Sequence, residues 1–381
     1  MPQVLEHDIG LIASEQVFSD PSLCRQCGHP SINPLTDGLI NENFITCAEA
    51  KDCTPNILVV FPNPAERIQR EQFVRELLPD RSVVPMARIY KTGLLNSASD
   101  DEQGFMVREY IPGTTLNEAL SRGPEDENIQ QVLYQLGRAL SAFHEVRLPT
   151  FGKITGDKIV DSQGGTWSEY VLNQVFTRIK RIREYSSDAV VGDYSAGNIQ
   201  HLLPDLADIV VKDSHFLREL AGPRLVHHDF HFLNIIVNGE KKLHLAAILD
   251  TDGLTAGDPV IDLVSIESQL HIAADEYRDL FLRNGRFFHQ GYLEHSLRPP
   301  YYDELRRLYH IDWSLSYFCA VFGMDKKNHP VTSHIKTCMD RHYEVISRLS
   351  AGESLDAIGI QPVIGIDSHN GLIQQSRNTS D

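Results

Sequence analysis

Long apolar runs, a basic surplus and a dense cysteine framework are all missing from this chain. No hydrophobic stretch approaches the roughly 20 residues that a membrane-spanning helix needs. The N-terminus, M-P-Q-V-L-E-H-D, has no basic region followed by an apolar one, so a cytoplasmic location is expected. Lys and Arg number 35 against 52 Asp and Glu, a formal charge of -17. Such a balance repels nucleic acid and anionic lipid, so neither is expected as a partner, whereas a cationic small molecule would be drawn in. No feature of the sequence specifies an oligomer.

The six cysteines stand at 24, 27, 47, 53, 319 and 338, and without a secretory signal free thiols are expected. C-R-Q-C-G-H, Cys24 to His29, has the spacing of a zinc knuckle that Cys47 and Cys53 would have to complete. Five residues separate that second pair, where two to four is usual. Unligated cysteines are therefore the expectation.

What is present fits a soluble globular protein, with 41% hydrophobic and 23% charged residues. At 381 residues the chain exceeds the size of one growing core, so two lobes are expected. Ile57 to Phe61 in N-I-L-V-V-F-P-N-P reads as a buried strand stopped by Pro62, and Phe105 to Tyr110 as a second strand. Between them Ile68, Phe73, Val74, Leu77 and Leu78 recur at near-helical spacing. From Ile129 to Phe143 the apolar period is again close to 3.6. The change from sheet to helix places a lobe boundary between about Pro112 and Gly123. Thr166-Trp167-Ser168-Glu169 has the form of a capping box opening a helix with Val171, Leu172, Val175, Ile179 and Ile182 inward. The last third reads as helices broken at Pro299-Pro300 and His329-Pro330. The organisation expected is an extension over residues 1–34, a small lobe over 35–114, a larger one over 115–350 and a polar tail over 351–381.

The chemistry is concentrated in P-R-L-V-H-H-D-F-H-F-L-N-I-I-V-N, Pro223 to Asn238. His227, Asp229 and His231 satisfy the alternation by which a strand could offer ligands to a metal. In the other reading, His227, Asp229 and Asn234 lie on a loop between strands, and a further strand, Leu245 to Leu249, ends at Asp250. Phosphoryl transfer needs such a set: a carboxylate to orient a hydroxyl and take its proton, with an amide and a second carboxylate to hold magnesium on nucleotide phosphates.

The order H-x-D-x-x-x-x-N, then I-L-D, then G-D-P-V-I-D-L resembles the aminoglycoside phosphotransferase family of kinase-like enzymes over roughly residues 35 to 340. The resemblance implies a two-lobed α+β protein-kinase-like fold, with an antiparallel-sheet N-lobe and a mainly helical C-lobe. It makes Asp229 the catalytic base, His227 the brace of its loop, and Asn234 and Asp250 the magnesium ligands. Gly257, Asp258, Pro259 and Asp262 then look structural. Gly38 and Asn41 fall at the nucleotide-covering loop, Glu71 at the helix glutamate that pairs with a strand cation, and Glu109 to Ile111 at the hinge that holds adenine. ATP or GTP and Mg2+ are implied, with a small hydroxyl-bearing acceptor such as an aminoglycoside and a role in antibiotic resistance. One position departs from the pattern: Val60 stands where the third strand usually carries a Lys or Arg, leaving Glu71 to Lys51, Arg67 or Arg70. A catalytically impaired nucleotide-binding scaffold is the alternative that this departure raises.

Overall fold

The computed structural model describes residues 32–35, 42–46, 55–78, 82–95, 103–161, 166–219, 222–239, 242–272, 275–325 and 332–364. They fall into two compact units, the first made of the described residues up to Gly113 with Thr155–Lys158 and Ala246–Asp252, the second of the remainder. The cysteine pairs at 24 and 27 and at 47 and 53, together with Gly38, Asn41 and Lys51, lie outside the described residues. Cys319 and Cys338 are buried free thiols, as expected.

The first unit is built on a five-stranded antiparallel sheet in the order β1-β2-β3-β5-β4. Its strands are β1 (Ile32–Leu35), β2 (Glu42–Thr46), β3 (Asn56–Pro62), β4 (Ile89–Leu95) and β5 (Gln103–Glu109). Strand β3 ends at Pro62; Asn63 turns the chain through a left-handed conformation and Pro64 starts helix α1 (Pro64–Leu77) with its φ already helical. The β3–β5 register pairs Ile57 with Arg108, Val59 with Met106 and Val60 with Phe105. Because side chains alternate across a sheet, Val59, Phe61, Met106 and Arg108 share one face. Val60 belongs to the other.

Helix α1 departs from the apolar pattern expected of it. Phe73 and Leu77 are only half-buried, and the buried residues are Pro64, Arg67, Arg70, Glu71 and Val74. The helix does lay Ile68 on the Val59, Phe61 and Met106 cluster. The Arg67 guanidinium lies over the Phe61 ring, 4.7 Å from its centroid, and beside buried Pro64 and Val74 the inward face carries Arg67, Arg70 and Glu71.

The second unit is mainly helical. After β6 (Thr114–Thr115) and α2 (Leu116–Ser121), helix α3 (Asp126–Glu145) buries Ile129, Val132, Leu133, Leu136, Leu140 and Phe143, the apolar period seen in the sequence. Two short strands, β7 (Gly152–Thr155) and β8 (Lys158–Asp161), precede α4 (Trp167–Arg183). Thr166 caps α4 by accepting from the Glu169 amide. The Thr166 hydroxyl donates in turn to the Glu169 carboxylate. A reciprocal capping box opens α5 (Ala196–Gln200), between Ser195 and Asn198, after the hairpin of β9 (Val190–Val191) and β10 (Tyr194–Ser195). Then follow α6 (Leu203–Asp213), β11 (Arg224–Val226), β12 (Ile235–Asn238), β13 (His244–Ile248), whose residues from Ala246 belong to the first unit, and β14 (Thr255–Gly257). Helices α7 (Val260–Ile272), α8 (Asp275–Leu293), α9 (Tyr302–Asp325), α10 (Ser333–Ser350) and α11 (Leu355–Ile358) complete it. Helices α3 and α8 meet at glycines: a Cβ on Gly137 would come within 2.2 Å of the Phe288 carbonyl, and one on Gly291 within 2.1 Å of the Tyr134 carbonyl. Among the described residues no helix is long and apolar enough to cross a membrane.

Candidate active site

In the second unit, β11 pairs with β14 and delivers the chain to His227. Apolar and polar residues then separate by position. Phe230 and Phe232 are fully buried, Phe230 edge-on to His227 and Phe232 stacked on Phe281 of α8. These aromatic anchors draw the loop into the core. Asp229, between them and His227, keeps a side chain 40% exposed.

The loop is held from below by Asp262, in the first turn of α7 and without solvent exposure. One of its oxygens accepts from the His227 amide at 2.7 Å and the other from the His228 amide at 2.7 Å. His144 of α3 adds its Nε2 at 3.1 Å and anchors its Nδ1 on the Tyr292 hydroxyl. Burial pushes the Asp262 carboxyl up, but His144, His227 and the two amides outweigh it, and the group ends below the usual range. Asp258 is equally buried and has fewer donors, Tyr309 Oη and the Val260 amide, and burial pushes it up to about 6. His228, with φ at 65°, takes a left-handed backbone that turns Asp229 outward. Gly253 permits the close return of the chain, since a Cβ there would meet the His227 carbonyl at 2.9 Å.

Asn234 ties the loop shut. Its Nδ2 donates to the Asp229 carbonyl at 3.0 Å and to Asp229 Oδ2 at 3.1 Å, and lies 3.2 Å from His231 Nε2. The nitrogen is thereby occupied, and Oδ1, a hard oxygen, is the atom left for a cation such as magnesium. Asp229 is pushed up by burial, yet His231, His227 and Asn234 bring its carboxyl below the ordinary value. It stays ionised at neutral pH, as an acceptor of a hydroxyl proton must. His231 Nε2 lies 3.4 Å from Asp229 Oδ1. His228 Nδ1 is 3.4 Å from Thr255 Oγ1. Among the described residues no group of three or more His, Cys, Asp or Glu is arranged to hold a metal.

In the first unit, Glu71 is 3% exposed and pairs with a cation outside the expected set. Arg108 of β5 donates to Glu71 Oε1 at 2.7 Å. Thr251 Oγ1 donates to the same atom at 2.7 Å, and Arg75 stands 3.9 Å from Oε2. The pattern that would have revealed Arg108 is alternation on β5, where Met106 and Arg108 share a face. Arg67 and Arg70 serve Asp252 instead, at 2.9 and 2.6 Å. Burial pushes the Glu71 carboxyl up, and Arg108, Thr251, Arg75 and Arg67 carry it below its ordinary value. Asp250 has a left-handed backbone, φ 57°, and its Oδ1 accepts from the Asp252 amide at 3.3 Å. The Glu109 amide donates to the Arg88 carbonyl at 2.7 Å and its carboxylate accepts from the Arg88 amide. Ile111 follows β5, half-buried.

Solved structures resemble this chain at the level of fold. A spectinomycin phosphotransferase in complex with ADP and spectinomycin superposes with a TM-score of 0.52 at 13% identity, over 84% of this chain and 92% of that one. The GDP and kanamycin complex of APH(2")-IIIa gives a TM-score of 0.54 at 14% identity, over 92% and 99%. An ethanolamine kinase of Plasmodium vivax gives 0.51 at 14% identity, over 84% and 81%. No curated protein matches the sequence. The family model of the phosphotransferase enzyme family matches residues 31–306, and the chain belongs to that family as a small-molecule phosphotransferase with a two-lobed, kinase-like α+β fold.

Proposed function

We propose that the protein transfers the γ-phosphoryl group of ATP or GTP to a hydroxyl of a small molecule. The observation that carries this reading is Asp229: an ionised carboxylate, partly open to solvent, on a loop whose two preceding amides are clamped by a fully buried Asp262. Asp229 orients the acceptor hydroxyl and takes its proton as the new P–O bond forms and the bond to the departing diphosphate breaks. His227 contributes its amide and its packing, bracing the loop without contact to the reacting atoms. Asn234 Oδ1 and the Asp250 carboxylate are the magnesium ligands, a hard-oxygen set suited to that ion. Bound there, magnesium would neutralise charge on the phosphates. Glu109 to Ile111 hold the adenine or guanine, Gly38 and Asn41 contribute to nucleotide binding, and Glu71 supports that binding through its pairing with Arg108.

The acceptor is an amine-bearing alcohol of the aminoglycoside or ethanolamine kind. Support comes from the formal charge of -17 and from the amine-bearing ligands or substrates in the names of the structural neighbours. Antibiotic resistance in the cytoplasm is the corresponding role. The test is a panel of aminoglycosides, amino alcohols and other hydroxyl compounds with Mg2+ and either nucleotide, read as phosphorylated product. Turnover is expected, with a loss of at least about a hundredfold in Asp229→Ala. Absence of transfer to every acceptor, or an Asp229→Ala variant as active as the wild type, defeats the reading. Because β3 offers only Val60 or Val59 at the expected cation position, a nucleotide-binding scaffold is the competing account. It predicts thermal stabilisation by nucleotide without turnover.

A further inference from the structure

Helix α1 presents an unusual inward face. Arg67, Arg70 and Glu71 are 8%, 7% and 3% exposed, positions where a helix on a sheet normally carries apolar residues. Their partners are consecutive residues of one short segment. Glu71 accepts from Thr251 Oγ1 at 2.7 Å, Arg70 reaches Asp252 Oδ1 at 2.6 Å, and Arg67 reaches Asp252 Oδ2 at 2.9 Å. On the other side of Asp250, the Ile248 amide donates to the Pro85 carbonyl at 2.8 Å. Asp250 is therefore bracketed. Its own φ of 57° is a left-handed conformation that is unfavourable for a non-glycine residue and persists only where the surroundings over-determine it.

Stability alone does not account for this design. Packing two guanidiniums against one carboxylate in a largely buried setting makes them repel, and burial followed by the charges of Arg108 and Arg70 works to lower the Arg67 pKa. Apolar side chains of similar volume would hold α1 on the sheet at least as well. The arrangement does achieve one thing that they would not: both oxygens of Asp252 and the hydroxyl of Thr251 are fixed in direction relative to α1.

We infer that Arg67, Arg70 and Glu71 are positioning residues for Asp250, the charged face of α1 holding the Thr251-Asp252 turn so that the Asp250 carboxylate stays in its left-handed, cation-ready pose. This rests on the proposed role of Asp250 as a magnesium ligand. It also gives Glu71 a function that does not depend on a cation from β3, since its partners are Arg108 and the segment that carries Asp250.

The test uses the full chain with Arg70→Gln and Asp252→Asn, and Arg70→Lys as the conservative control. Hydrogen exchange in the nucleotide-free protein reads the turn directly. Amides from Leu249 to Gly253 are expected to exchange about tenfold faster in Arg70→Gln and Asp252→Asn, with those of α3 unchanged. Equilibrium binding of ADP and GDP, with and without Mg2+, reads the consequence. The Mg2+-dependent gain in affinity should fall by about tenfold, the scale typical of residues that orient a metal ligand, while metal-free affinity holds and Arg70→Lys recovers part of the loss. Unchanged exchange, or equal losses with and without Mg2+, overturns the inference. A wild-type protein whose nucleotide binding ignores Mg2+ overturns the proposed function instead.

Discussion

Replacing Arg108 by Met removes the closest cation from a carboxylate that is 3% exposed, and the cost can be bounded from the structure. At 2.7 Å the gross attraction is about 6 kcal/mol at an effective dielectric of 20, most of it already spent on desolvating the pair. Breaking a buried pair from one side costs about 3–5 kcal/mol in general. Here Thr251 and, at 3.9 Å, Arg75 remain, so the lower part of that range applies. Protonation sets a ceiling as well. From an ordinary pKa of 4.5, neutralising Glu71 at pH 7 costs about 3.4 kcal/mol, and no larger penalty can persist. The expected loss is about 2–3 kcal/mol at pH 7. Its pH dependence follows with a definite sign. In the wild type the folded-state pKa of Glu71 is lowered, so its contribution is present above the unfolded value and is lost as pH falls through the folded one. In Arg108→Met the folded pKa rises, and the penalty shrinks as pH drops from 7 to 5.5, where protonation costs only about 1.4 kcal/mol. Adding Glu71→Gln to the variant should restore about 2 kcal/mol. Both tryptophans, Trp167 and Trp313, belong to the second unit. Unfolding of the first unit must therefore be followed by far-ultraviolet circular dichroism or amide exchange in β3 and β5. A penalty under about 0.5 kcal/mol, or one independent of pH, would refute the assignment of Arg108 as the partner that satisfies Glu71.

The second unit supplies four further outcomes. Asp262→Asn replaces one acceptor of the His227 and His228 amides with a donor, so a loss of about 3 kcal/mol in urea unfolding is expected; a change within experimental error would contradict the clamp. Burial pushes His271 down to about 4 and His342 down to about 3. Depressed histidines leave the unfolded chain binding more protons below pH 6.5, so stability falls with acid by about 1.4 kcal/mol per pH unit for each. Asp258, held at about 6, works in the opposite direction below pH 6, and the net loss between pH 6.5 and 5 is about 2 kcal/mol. Denaturant midpoints across that window check it, and His342→Phe should flatten the slope. Gly137→Ala would drive a methyl into the Phe288 carbonyl, and a loss of about 2–3 kcal/mol in thermal unfolding is expected. Glu267→Gln leaves Arg306, 4% exposed, short of its carboxylate; about 3 kcal/mol of stability should go, while the KM for an amine acceptor stays unchanged.

How much of this was legible in the sequence depended on whether apolar residues did the packing. The period through Ile129, Val132, Leu136, Leu140 and Phe143 marks α3 because every one of those side chains is buried. The run Ile57 to Phe61 marks β3 for the same reason. The candidate loop stands out in the sequence through Asp229 and Asn234, followed by Asp250, a chemical pattern independent of packing. Helix α1 misleads because charge pairs carry its inward face, and a hydrophobic period is blind to them. The third strand misleads in another way: counting back from Pro62 leads to Val60, but alternation puts Val59 on the face that α1 covers. Either residue is apolar, so the missing cation is real, and its replacement comes from a neighbouring strand whose register no linear motif encodes. The two-residue and four-residue strands β7 to β10 are too short to stand out.

The same distinction bears on what recognises the acceptor. Glu267 lies on α7 and Asp312 on α9, two carboxylates to weigh against an amine-bearing acceptor. Glu267 has no exposure and is saturated: Arg306 Nε lies 3.0 and 2.8 Å from its two oxygens, His310 Nε2 is 3.0 Å from Oε2, and Tyr302 Oη donates to Oε1. Asp312 is paired with Arg178 of α4. A carboxylate whose oxygens are already matched in a dry setting gains little from an ammonium group, because the incoming charge must displace a guanidinium that is then left unpaired. The two differ in how far that displacement is blocked. Arg306 is held between Glu267 and the Ile360 carbonyl and cannot leave without opening the core. Arg178 keeps 17% of its side chain exposed, and its charge is felt at His228, beside Asp229. If either carboxylate exchanges its partner for an amine on the substrate, Asp312 is the one whose guanidinium has somewhere to go.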